Sequence, residues 1–286
     1  MKSLACTTLF CLVSTLSAQA FATMEAKQIV IPVQSTFEGK ALNYNLNARL
    51  YYNTEVNNAA LAVLSHGSGA KSPSAVFDSL DSQARWFAQR GFMTLVVERR
   101  GYGGSTENMS EKGGECDSRN YNKSGQSASR DILGAINYLK TSEYKFDQSR
   151  VLLVGRSSGG FSSVYAGGLD PSIKAVISFA GGRGADEKNG SICSQDNLMK
   201  VLQKSGKDYA GNGQSVPNTL WVFAENDKSF PPAIAKAMFE AFQAGGGKGQ
   251  FVAASSFQAD GHNLFSGAGQ SIWTGMVEKF LTEIGF

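Results

Sequence analysis

The chain has 286 residues, a formal net charge of +3 and 42% hydrophobic residues, enough apolar material for one large α/β domain with a sizeable core. The charge is too small to mark a nucleic-acid binder and no basic run of five or more residues occurs, so no nucleic-acid partner is expected. Beyond the first twenty residues, no stretch is long and apolar enough to cross a membrane.

Those first twenty residues read as a secretory signal. Met1-Lys2 is a minimal positive start, Leu4 to Leu16 is mostly apolar, and Ala18-Gln19-Ala20 offers a small-x-small cleavage site, with Ala20-Phe21-Ala22 as a second. A short uncleaved anchor is the alternative, but the apolar stretch is brief for a span. The expectation is a signal peptide over residues 1–20 and a single domain over 21–286, exported to a periplasm or to the medium, with no membrane attachment after cleavage. Cleavage leaves two of four cysteines, Cys116 and Cys193. An even pair in an oxidising compartment predicts a disulfide; two separate thiols are the other reading.

In chain order, Gln28–Val33 and Leu46–Tyr52 read as antiparallel strands around the polar turn Glu38-Gly39-Lys40. Ala59–Ser65 is a third strand ending in His66-Gly67-Ser68-Gly69. Ser72 caps a helix with Pro73 at its first position. Its apolar residues Val76, Phe77, Leu80, Ala84, Phe87 and Ala88 keep helical spacing up to Gly91. Phe92–Val97 is the next strand, followed by Glu98-Arg99-Arg100 and a polar loop with Cys116. A helix then shows Ile132, Leu133, Ile136 and Leu139 on one face, and Val151–Val154 is a buried strand. Ile173–Phe179 follows. The polar stretch 183–216 holds Cys193 and a short helix around Asn197–Lys204. Thr219–Ala224 is a strand, Pro231-Pro232 opens a helix, Phe251–Phe257 is the last strand, and the final helix places Ile272, Trp273, Met276, Phe280 and Ile284 together. Strands alternating with helices from Ala59 onward predict a parallel sheet covered on both faces.

The strand Val151–Val154 runs into Gly155-Arg156-Ser157-Ser158-Gly159 and then into a helical segment. A G-x-S-x-G between strand and helix is a nucleophile-elbow pattern. The serine needs a sharp turn to stand clear of the sheet, and the flanking glycines let two backbones approach. A serine hydroxyl is inert until a base takes its proton, and the chain has two histidines. Both follow strands, at the carboxyl ends where catalytic groups of parallel sheets gather. His262, after the last strand, is the expected base. His66 is expected to brace its loop through its ring nitrogens. Asp227 is the expected acid that orients the base, with Glu225, two residues earlier, as its rival and Asp260 too close to His262 in sequence. The order Ser157, Asp227, His262 is the elbow order. The backbone N–H groups of Ser68 and Ser158 are the expected oxyanion donors. Arg99, Arg100, Arg156 and Arg183 fall near the same strand ends; structural ion pairs are the favoured reading, an anionic substrate the alternative.

His66-Gly67-Ser68-Gly69, Arg100 to Ser105, Gly155–Gly159, Asp227 and Gly261-His262, in that order over about residues 59–286, make the chain resemble the α/β-hydrolase superfamily. The small insertion is most similar to the dienelactone-hydrolase-like branch. The resemblance implies a twisted, mostly parallel eight-stranded sheet with helices on both faces, no large cap domain, a triad on Ser157, Asp227 and His262, and no cofactor or metal. The dienelactone hydrolases proper use cysteine as nucleophile, so serine here points instead to an enzyme that hydrolyses small carboxylic esters in general. A serine peptidase or amidase on the same fold, and a catalytically silent hydrolase fold used for binding, are the competing readings.

Overall fold

The computed structural model describes residues 24–37, 39–69, 72–103, 111–186, 190–211 and 216–286. The expected signal peptide, Glu38 of the expected turn, and Gly104 and Ser105 of the arginine-led motif lie outside them. Strands β1 (Met24–Phe37) and β2 (Lys40–Asn53) pair antiparallel from end to end, Met24 opposite Asn53 and Phe37 opposite Lys40. Both run further than their apolar residues suggest, because cross-strand hydrogen bonds extend a ladder past the side chains that bury.

β3 (Ala60–Ser65) leads to α1 (Pro73–Asp78) and α2 (Asp81–Gln89). One continuous helix was expected. Ser72 does cap it, its Oγ accepting from the Ala75 N–H at 3.2 Å, but the helix breaks at Ser79-Leu80. The Ser79 hydroxyl donates to the Val76 carbonyl at 2.8 Å, and the Leu80 N–H turns to Phe77 instead. A side chain that competes for a helix carbonyl bends or ends the helix. Apolar spacing runs unbroken across the kink and hides it.

β4 (Met93–Val97), α3 (Tyr121–Thr141), β5 (Asp147–Arg156), α4 (Ser158–Gly167) and β6 (Ile173–Phe179) follow. Next come a small hairpin, β7 (Ala185–Asp186) and β8 (Ser191–Ile192), and α5 (Gln195–Gly211). The helix of this insertion is twice the length expected. Its polar face masks a stripe of Leu198, Val201, Leu202, Ser205 and Tyr209 that buries at helical spacing, with Tyr209 edge-on to Phe242. β9 (Asn218–Ala224), α6 (Pro232–Ala244), β10 (Lys248–Ala254) and α7 (Gln270–Glu283) complete the chain. β10 lies three residues earlier than expected, since its ladder with β9 ends at Ala254 opposite Ala224 and the Phe257 N–H bonds the Asn226 side chain instead.

The eight-stranded sheet has the order β1-β2-β4-β3-β5-β6-β9-β10, in which β2 is the one strand that runs against the others. Successive residues of a strand face opposite ways, and each face has its own core. Leu61, Val63, Val151 and Leu153 pack with residues of α3 to α6, while Ala62, Leu64, Leu152 and Val154 pack with those of α1, α2 and α7. β3, β5, β6 and β9 are adjacent and parallel, so their carboxyl ends, and the loops that carry His66, Ser157 and Asp227, emerge at one edge.

Candidate active site

β5 delivers Ser157 at φ 56°, ψ −124°, a left-handed conformation that a non-glycine residue adopts only at a cost of roughly 1–3 kcal/mol. The turn is held from both sides. The Ser157 N–H donates to the Phe179 carbonyl at 2.9 Å, and its own carbonyl accepts from Phe161 and Gly182, each at 3.1 Å. A Cβ at Gly155 would lie 2.2 Å from the Gly159 carbonyl oxygen, and one at Gly159 only 2.1 Å from that of Ser65. The spacing of the pentapeptide is thus a packing requirement: β5, the start of α4 and the end of β3 meet backbone to backbone.

Asp227 sits in the turn after β9, its side chain fully buried. Its Oδ1 accepts from the Ser229 and Phe230 N–H groups, each at 2.9 Å. The same carboxylate meets His262 Nδ1 at 3.1 and 3.2 Å through its two oxygens. Nδ1 therefore donates, which leaves Nε2 as the basic nitrogen on a ring that lines the cavity. Glu225 is exposed and makes no hydrogen bond to His262 among the described contacts. Sequence reasoning missed two positioning residues. Asp260 Oδ1 accepts from His262 N–H at 3.0 Å and Lys228 N–H at 3.1 Å. Asn226 accepts from Phe257 N–H at 2.8 Å and donates to the Phe257 and Gln258 carbonyls. Together they staple the histidine loop onto the aspartate loop. The only sequence signal was a run of short polar residues at both strand ends, which ordinarily marks turns.

Ser157 and His262 border one cavity of about 510 Å³, with Ser68 and Ser158 also in its wall. Ser158 is the first residue of α4, where backbone N–H groups have no intrahelical partner. Ser68 lies on the exposed turn after His66. The disulfide is present: Cys116 and Cys193 are bonded, with Cα atoms 4.7 Å apart. It ties the loop before α3 to the strand pair before α5, next to the cavity residues Arg119 and Arg183.

His66 is buried. Its Nδ1 donates to the Gly67 carbonyl at 2.8 Å, and its Nε2 accepts from the Arg99 N–H at 3.2 Å. Burial, and then the Arg99 charge, push its pKa well below the usual imidazole value, so it stays neutral. Behind it, Arg99 meets Glu111 at 2.7 Å and the His66 carbonyl at 2.9 Å; Arg183 pairs with the same glutamate, and the Tyr102 hydroxyl donates to it at 3.1 Å. Arg100 is bound to Asp131 through its backbone N–H and its Nε, each at 2.8 Å. Arg99, Arg100 and Arg183 therefore sit in ion pairs, the favoured reading; among the described residues Arg156 has no such pair.

The model of the prolyl oligopeptidase family matches residues 78–181, a stretch that contains Ser157 and ends before Asp227. Among solved structures, the chain is similar to the acylaminoacyl peptidase of Pyrococcus horikoshii (TM-score 0.64, 16% identity), covering 92% of this chain but 42% of that one. It is similar over 91% of its length to 99% of a protein of Klebsiella pneumoniae subsp. pneumoniae described as a dienelactone hydrolase (TM-score 0.56, 14% identity). This is the α/β-hydrolase fold. An esterase of Thermogutta terrifontis shares that fold at TM-score 0.57 and 18% identity, over 90% of this chain and 94% of its own. A search of curated proteins finds no match. The α/β-hydrolase fold thus covers the small hydrolases almost whole, and the chain spans about two fifths of the peptidase.

Proposed function

We propose that the chain is a serine hydrolase that cleaves small-molecule carboxylic esters through an acyl-enzyme on Ser157. The observation that carries this reading is the hydrogen bond of His262 to Asp227 at the rim of the cavity that also holds Ser157 on its strained turn. In the proposed cycle, Ser157 Oγ attacks the ester carbon while His262 Nε2 takes its proton. Asp227 holds the ring by Nδ1 and stabilises the imidazolium. The N–H groups of Ser158 and Ser68 bind the oxyanion, a term worth about 3–4 kcal/mol per donor in well-formed sites. His262 returns the proton to the leaving alcohol, the acyl group stays on Ser157, and water then enters by the same route to release the acid.

The fold likeness to an esterase and to a described dienelactone hydrolase along nearly their full lengths supports ester substrates. The prolyl oligopeptidase match supports an amide or peptide substrate. A fluorophosphonate probe and a panel of chromogenic esters of rising acyl length, with one matched amide, decide between them. Labelling that disappears in Ser157→Ala, with esters cleaved faster than the amide, is the expected result. Faster amide cleavage moves the reading to a peptidase, and no labelling at all leaves a silent fold.

Residues 21–286 are proposed as one exported domain. The signal-like pattern of residues 1–20 and the Cys116–Cys193 bond support it. Among the described residues, no helix is long and apolar enough to cross a membrane. Mass spectrometry of the exported protein should find a chain that starts near Phe21 with no alkylatable thiol.

A further inference from the structure

The proposed cycle takes its two oxyanion donors from separate parts of the chain. Ser68 lies in the turn after β3, and Ser158 begins α4. Such donors act at full strength only if they are fixed, at a set separation, before the charge appears. Gly67, next to the first donor, is so near the nucleophile that a Cβ on it would lie 3.3 Å from the Ser157 Cβ. A small shift of this loop against α4 therefore moves one donor relative to the other.

Arg99, in the turn after β4, joins the two halves. Its side chain is fully buried, and each of its three nitrogens reaches a different segment. Nε donates to Glu111 Oε1 at 2.7 Å, Nη1 to the His66 carbonyl at 2.9 Å, and Nη2 to Ser158 Oγ at 3.4 Å. The guanidinium is planar and rigid, so each contact constrains the other two. The backbone adds a further tie. The Arg99 N–H donates to His66 Nε2 at 3.2 Å, and His66 Nδ1 holds the Gly67 carbonyl at 2.8 Å. That carbonyl shares a planar peptide with the Ser68 N–H, so holding one aims the other.

Glu111 fixes the guanidinium from behind. Its side chain is fully buried, with Oε1 on Arg99 and Oε2 on the Tyr102 hydroxyl at 3.1 Å and on Arg183. Its own carbonyl accepts from Ser124 Oγ at 2.8 Å, which anchors it to α3. A buried ion pair adds little net stability over an apolar pair of the same volume; what it supplies here is direction.

We propose that Arg99, held by Glu111, is a positioning residue that sets the separation of the Ser68 and Ser158 N–H donors. The inference rests on the serine-hydrolase reading and on those two donors, and it adds no reactant to the cycle.

The test compares 4-nitrophenyl butyrate with its thiono analogue, whose sulfur replaces the carbonyl oxygen and fits poorly in a hole built for oxygen. The wild type should prefer the oxygen ester. Arg99→Lys keeps the charge but not the three-way fork, and Glu111→Gln keeps the shape but not the charge. Each should lower kcat and kcat/KM for the oxygen ester together, by about 10- to 100-fold, and slow the thiono ester much less. Ser158→Ala leaves the backbone donor in place and removes the side-chain contact, so it should shrink the oxygen preference by about three- to tenfold. Unchanged turnover in folded Arg99→Lys and Glu111→Gln overturns the proposal. So does a loss carried by KM alone, or one that falls equally on both esters, since it marks a reshaped cavity or general damage. If circular dichroism shows that neither variant folds, Ser158→Ala decides: a reduced oxygen preference supports the proposal and an unchanged one ends it. If an amide proves the better substrate, the same variants are compared on the amide and its thioamide. A wild type that cleaves none of these and takes no fluorophosphonate label removes the hydrolase reading itself, and this proposal with it; an active wild type with unaltered variants removes the proposal alone.

Discussion

The two histidines occupy formally equivalent places, each in a Gly-flanked turn beyond the carboxyl end of a strand, yet their surroundings differ in kind. His66 is 1% exposed, and both ring nitrogens are spent on backbone groups of its own loop and of the Arg99 turn. His262 is partly exposed. One ring nitrogen is bound by a buried carboxylate and the ring borders a cavity. A histidine whose two nitrogens both face fixed backbone partners has no proton to exchange and serves as a brace. One oriented through Nδ1 alone keeps a free nitrogen for chemistry. The backbone partners, not the strand end, separate the two.

The contrast is sharpest in activity. Ser157→Ala and His262→Ala should each lower ester turnover by about 10⁴ to 10⁶ with the fold intact by circular dichroism, and the double substitution should be scarcely worse, because the two act as a unit. Additive losses would show that His262 is not the base. Asp227→Asn should cost on the order of 10⁴ in kcat by spoiling the tautomer, while exposed Glu225→Gln stays near wild type. The reverse ranking would transfer the orienting role to Glu225.

His66→Ala should do the opposite of His262→Ala. It leaves the Gly67 carbonyl and the Arg99 N–H without their partner in a buried place, so a denaturant titration should show a loss of about 1–3 kcal/mol of stability, and turnover per folded molecule should fall far less. A collapse of kcat in well-folded His66→Ala protein would break the distinction between the two histidines. The smallest effect lies in the pH dependence of stability. In the fold His66 stays neutral well below 6.5, while the unfolded chain takes up its proton near that value. Stability from this residue is therefore complete above 6.5 and falls as the medium becomes more acidic, by no more than about 1.4 kcal/mol per pH unit. Between pH 7.5 and 5.5 the wild type should lose more stability in urea than His66→Gln does; parallel curves would refute a neutral, buried His66.

Much of the fold was legible because local signals agreed with the global pattern. Every large strand and helix was placed, and the departures have local causes. The Ser79 hydroxyl broke a helix whose apolar spacing was continuous, and the stripe through Tyr209 lengthened one whose polar residues dominate the eye. At the site, the elbow could be read from five residues since its glycines answer to backbone crowding, which no other residue type relieves. Two cysteines left one possible pairing, and that pair is bonded.

Tertiary structure alone decided what depends on partners far apart in the chain. Asp227 rather than Glu225 meets His262 because the turn after β9 buries one carboxylate and exposes the other, a difference of side-chain direction that strand spacing does not carry. Asn226 and Asp260 were invisible as positioning residues, since their work is to join two loops about 32 residues apart. The same holds for the arginines. Composition shows that they exist and strand ends show where they gather. Only the packed fold gives Arg99, Arg100 and Arg183 their carboxylates and leaves Arg156 and Arg119 beside the cavity with none among the described residues, because charge pairing is settled by distance in space and not along the chain.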